Sequence, residues 1–143
     1  MTVEEFVLMM KSRGVYIDNP PSRQEIVNIN LYLQQIGAAI LPNAVADLYS
    51  VAGGMIWGSA YIFAPKTIER EMVFPVPDLV TINKDIQSVK QLHGLTVFGR
   101  NDLFWFAFDA FGKYQMLHKI TLESLRKYDD IFRAITDCLA VGK

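Results

Sequence analysis

Cysteine and histidine are almost missing from this chain, and so are the chemistries that depend on them. The one cysteine, Cys138, excludes an internal disulfide, and the two histidines, His93 and His118, stand 25 positions apart. Together they offer no metal-ligand spacing and no cofactor is expected. Long apolar runs are missing too: the longest is about six residues, against the roughly 20 that a membrane helix needs. Neither charge sign dominates. Residues 1–75 carry 5 basic and 7 acidic groups and residues 76–143 carry 9 and 8. Without a basic arm or stripe, nucleic-acid binding has no electrostatic support. Met1-Thr2-Val3-Glu4-Glu5 is acidic where a signal peptide would be basic, so the expected protein is soluble and cytoplasmic. Walker, dinucleotide and Gly-x-Ser-x-Gly patterns are absent as well, which leaves no recognisable catalytic motif.

What the chain does have is core-forming material. Of its 143 residues, 51% are hydrophobic and 12% aromatic. That length fits one domain over residues 1–143, burying about 70% of its unfolded surface.

Val3 to Arg13 reads as a short helix with Phe6, Val7, Met9 and Met10 on its apolar face and Glu4 and Glu5 at the favourable end of its dipole. Asn19-Pro20-Pro21 breaks the pattern. Ser22 with Glu25 predicts a capping box, and Ile26, Ile29, Leu33 and Ile36 follow at spacings of 3, 4 and 3, which is helical. Gly37 reads as its C-terminal stop. Pro42 opens a second helix whose inner face is Val45, Leu48, Tyr49 and Ala52. Gly53-Gly54 ends it, with a left-handed backbone expected at one of the pair.

From Met55 to Ala64 the period changes to β, giving one strand or two short ones around Gly58-Ser59. Thr67 to Glu71 reads as a helical turn and Phe74 to Thr81 as loop. Ile82 to Gln91 is ambiguous, with Asn83 as a possible helix cap. Three strands then follow as an antiparallel meander: Leu95 to Gly99, Leu103 to Phe108 and Lys113 to Lys119. The last of these places Tyr114, Met116 and His118 on one side and Gln115, Leu117 and Lys119 on the other. Leu125, Tyr128, Ile131, Phe132, Ile135 and Leu139 predict a long amphipathic helix from Thr121 or Leu122 onward. The class is α+β: an antiparallel β-sheet meander with helices packed on one side. Leu41, Leu48, Ile62, Phe104, Phe106, Ile131 and Ile135 should lie in its core.

Few residues invite a chemical reading. Asp102 and Asp109 flank one strand, about 23 Å apart if it is extended, and suit turns better than shared chemistry. His118 reads as a sheet-face residue and Cys138 as a small buried hydrophobe. Trp57 and Trp105 are either core or an aromatic anchor for a partner.

The pattern Ile26, Gly37, Leu41-Pro42, Leu48-Tyr49, Gly53-Gly54, Phe98-Gly99, Phe104, Phe106, Asp109, Gly112, Tyr128 and Ile131-Phe132 resembles the SUKH superfamily over residues 22–140. That group includes the Smi/Knr regulators of cell-wall glucan synthesis and bacterial toxin-immunity proteins. The family often carries a glutamate in the helix before Leu-Pro; Asn30 holds the nearest position here. The resemblance implies an α+β fold and a non-enzymatic binding role, in the bacterial case an immunity protein that neutralises a toxin encoded nearby. The other implied role is a regulatory or small-ligand module, which would need a concave pocket around Trp57, Tyr61 or Trp105. Recognition from a sheet face and a loop tip favours Trp57, Tyr61, Arg100 and Asp102 as partner-binding residues.

Overall fold

The structure is a computed structural model, and it describes residues 1–69 and 75–140. Seven strands run in one antiparallel sheet in chain order: β1 Tyr16–Ile17, β2 Met55–Trp57, β3 Ala60–Ile62, β4 Thr96–Arg100, β5 Phe104–Phe108, β6 Tyr114–His118 and β7 Ser124–Tyr128. The helices are α1 Val3–Ser12, α2 Arg23–Gln35, α3 Asn43–Tyr49, α4 Leu79–Ile86 and α5 Ile131–Leu139. The α+β class and the meander are as the sequence predicts. Beyond the expected meander and the strands of Met55–Ala64, β1 and β7 also join the sheet.

Local signals place the early helices. Ser22 Oγ accepts the Glu25 N–H at 3.2 Å while Glu25 Oε1 accepts the Ser22 N–H at 3.0 Å, closing the capping box. Gly37, at φ +79°, ends α2 in a Schellman motif, its N–H bonded to Gln34 O and that of Ala38 to Leu33 O. Asn30 Oδ1 accepts the Leu41 N–H at 2.9 Å, so this position ties α2 to the chain entering α3. Pro42 sits at the N-cap, one position before α3 begins.

Three of the expectations that fail do so for a long-range reason. Neither Gly53 nor Gly54 takes a left-handed φ. They are glycines because backbone approaches too closely: a Cβ on Gly53 would lie 2.1 Å from Asn19 O, and one on Gly54 2.8 Å from the Ala64 Cβ. Asp18 and the glycine pair bond to each other, Gly53 N–H to Asp18 O and Asp18 N–H to Gly54 O, each at 2.9 Å. Residues 124–128 are strand β7, not the start of a long helix. Their backbone pairs with β6, from Tyr114↔Tyr128 to Leu117↔Ser124. Leu125 and Tyr128 shared a helical stripe only by coincidence of spacing; α5 begins after Asp130, whose Oδ1 accepts the Phe132 N–H.

The third failure is Asn83, which caps nothing and is fully buried within α4, a helix that starts at Leu79 where a loop was expected. Its Nδ2 donates to Leu79 O at 2.9 Å and Val97 O at 2.8 Å, and its Oδ1 accepts the Val97 N–H at 2.8 Å. The side-chain amide thus stands in for a strand partner beside β4, beyond the last residue of β3. Asp78 is the true cap, accepting the Thr81 N–H. Of the helical turn expected at Thr67–Glu71, Ile68 instead pairs with Val76 in an antiparallel bridge, and residues 70–74 lie outside the described residues.

Alternation along the strands defines two faces. Ile62, Gly99 and Phe106 are cross-strand partners on one face. Helix α5 lies on that face, close enough that a Cβ on Gly99 would meet Ile62 Cδ1 at 2.9 Å and Cys138 Sγ at 3.2 Å. Helix α1 joins it through stacked Phe6 and Phe132 rings, 4.5 Å between centroids. An extra residue, Phe98, bulges β4 between the Val97↔Ala107 and Gly99↔Phe106 pairs, and its ring packs on Phe108 and Tyr114. Of the seven predicted core residues, six are buried and Phe104 is half-buried.

Candidate functional site

The other face of the same strands carries a different set of side chains. Cross-strand pairing lines up Ile56, Tyr61, Arg100 and Trp105 on β2 to β5. All four are half-buried, so their outer surfaces reach solvent. Beneath them the Cys138 thiol donates to the Tyr61 and Arg100 carbonyls at 3.6 and 3.4 Å, so α5 fixes the backbone from behind. Burial pushes that thiol's pKa up, and it is no nucleophile.

Cations and rings alternate along this row. The Arg100 guanidinium carbon lies 5.2 Å from the Tyr61 ring centroid, and Lys119 Nζ lies 5.4 Å from that of Trp105. Arg100 is poorly neutralised. The Asp102 carboxylate stands 3.8 Å from its Nη2, beyond hydrogen-bond reach, and Arg100 Nε has no hydrogen-bond partner among the described residues. Asp102 is turned partly elsewhere, accepting the Ser59 hydroxyl at 2.9 Å and thereby joining the β2–β3 and β4–β5 turns. Partial burial lowers the Lys119 pKa, and the charge of Arg100 lowers it further, while Asp102 opposes both.

The structure therefore brings Tyr61, Arg100 and Asp102 together. Trp57 is apart from them. It alternates with Ile56 onto the α5 side of the sheet and lies against the end of α1, where a Cβ on Gly14 would meet its ring at 3.2 Å. Lys119 escaped the sequence reading as a site residue. Its phase with Gln115 and Leu117 was visible, but only the register Trp105↔Leu117 carries it over the Trp105 ring.

The remaining polar candidates have structural work. His118 Nδ1 accepts the Ile120 and Thr121 N–H groups at 3.2 Å, holding the β6–β7 turn. Asp109 Oδ1 does the same for Phe111 and Lys113. Among the described residues no group of three or more His, Cys, Asp or Glu could hold a metal ion, and no helix is long and apolar enough to cross a membrane. A cavity of about 620 Å³ opens between α2 and α4, bordered by Ile29, Tyr32, Ile36, Val80 and Lys84 among others. None of Trp57, Tyr61 and Trp105 borders it. No family model, curated protein or solved structure matches this chain.

Proposed function

We propose that this protein is a non-enzymatic protein-binding module of the SUKH type, and within that class an immunity protein that binds and neutralises a toxin encoded nearby. The observation that carries the binding role is the open sheet face. Tyr61, Arg100, Trp105 and Lys119 present rings and unbalanced charge on neighbouring strands of the sheet. Aromatic and arginine side chains on a firm scaffold are the usual anchors of protein interfaces. Asp102 forms the rim of this patch, whereas Trp57, on the α5 side of the sheet, lies outside it.

A second reading rests on the α2–α4 cavity. Its volume suits a small ligand, so a regulatory or small-ligand module of the cell-wall glucan-synthesis-regulator kind would use this cavity in place of the pocket expected around Trp57, Tyr61 or Trp105.

The test is titration of the purified protein with the product of the adjacent reading frame. A stoichiometric complex that suppresses that product's toxicity supports the immunity role. A Tyr32→Ala variant, which perturbs only the cavity, should leave the complex intact; loss of binding there would move the site to α2–α4. Substrate turnover by the purified protein would sink the non-enzymatic reading.

A further inference from the structure

We infer that the open face across β3 to β6 receives an acidic, extended segment of the protein partner, its carboxylates meeting Arg100 and Lys119. The inference rests on the protein-binding reading and deepens it. Three observations point to an anionic occupant. Arg100 and Lys119 are close enough for the charge of one to disfavour that of the other. Among the described residues, the carboxylate paired with Arg100 is that of Asp102, which stands at 3.8 Å and also accepts the Ser59 hydroxyl. Arg100 also lacks a hydrogen-bond partner at Nε among the described residues. That Nε is buried, so an arriving carboxylate would meet the Nη groups of a side chain that is 29% exposed, and its negative charge would relieve the repulsion between the two cations.

Successive side chains of a strand point to opposite sides, so an alternating acidic segment presents its carboxylates along one edge at roughly 7 Å intervals. Nucleic acid is the competing anion, since rings and cations also make single-strand platforms. Two features disfavour it. One face of the Tyr61 and Trp105 rings is already occupied by the protein's own cation, which leaves less ring for base stacking. Nucleic-acid affinity also grows with the number of phosphates contacted, and this face offers two cations.

The experiment uses the full chain and a labelled Val-Glu octamer repeat, read by fluorescence anisotropy at low salt. A Val-Lys octamer and a single-stranded oligouridylate are the comparison probes. The Val-Glu peptide should bind and the Val-Lys peptide should not. Arg100→Gln and Lys119→Gln should each weaken binding about three- to fivefold, and the double variant about tenfold or more. Asp102→Asn should strengthen binding, because it removes the competing carboxylate; a contact role for Asp102 predicts the opposite. Added salt should weaken all of these effects. Thermal melts close to that of the parent would show that the variants remain folded.

Tighter binding of the oligouridylate than of the peptide would overturn the inference, and so would equal peptide affinity of parent and double variant. The adjacent gene product, titrated against the same proteins, separates this inference from the reading beneath it. If it binds parent and double variant alike, the acidic docking face is wrong while the protein-binding role stands. If it binds neither, but the peptide still depends on Arg100 and Lys119, the docking face stands and the immunity assignment falls.

Discussion

The two faces of the central strands differ in kind although their residues alternate along the same few segments. On one, Ile62, Gly99 and Phe106 meet α5 with no room to spare, and a single added methyl at Gly99 would collide. On the other, Tyr61, Arg100, Trp105 and Lys119 hold charge against rings and remain partly in water. One face is set by packing density and the other by electrostatics, so changes on the two should separate stability from recognition.

The largest effect should come from the packed face. Phe106→Ala removes a fully buried ring and should cost about 3–5 kcal/mol in chemical denaturation. A loss below about 1 kcal/mol would show that this face tolerates rearrangement and would blur the contrast. Next is Asn83→Ala, which strips the Val97 N–H and C=O of their buried partner. At the lower end of the roughly 1–3 kcal/mol for each unsatisfied group, the two together should cost about 2–4 kcal/mol, with faster amide exchange at Val97.

The open face should behave differently. Lys119→Ala loses a partly exposed cation–π contact of about 0.5–1 kcal/mol, offset by relief of its repulsion with Arg100. Its melting temperature should therefore stay within about 1–4 °C of the parent's, while binding of an acidic probe falls. A large drop in stability would mean that the open face is structural after all.

The smallest effect concerns neither face but the cap of α2. The Glu25 carboxyl is held below its ordinary value of 4.5, first by the Ser22 backbone N–H and then by Lys66. A depressed carboxylate stabilises the fold above its unfolded pKa, and that contribution is lost as pH falls through the lower folded value. Parent and Glu25→Gln should thus differ slightly in melting temperature near neutral pH and converge in acid. A gap that persists at about pH 2 would exclude the charge as its cause.

Much of this architecture was legible before the fold was known. The capping box at Ser22 and Glu25, the stop at Gly37, the three central strands and the burial of Phe106 all depend on residues within a turn or a strand of one another. Tyr61, Arg100 and Asp102 could be suspected from their positions near strand ends and turns. The failures share a cause. Residues 124–128 have a spacing that fits a helix, but hydrogen bonds to β6 decide their state. Gly53 and Gly54 look like a helix cap, yet Asn19 and Ala64 impose them. Asn83 looks like a cap, and a strand edge 14 positions away claims its amide.

By itself, then, the sequence determined both ends of α2, at Ser22 and Gly37, and the β period of the middle, because those features are short-range. The tertiary structure alone decided that β7 joins the sheet, that Trp57 turns to the α1 side, and that Lys119 comes to rest over Trp105 beside Arg100. Strand register and helix docking settle such matters, and both depend on contacts between segments whose separation along the chain carries no local signal.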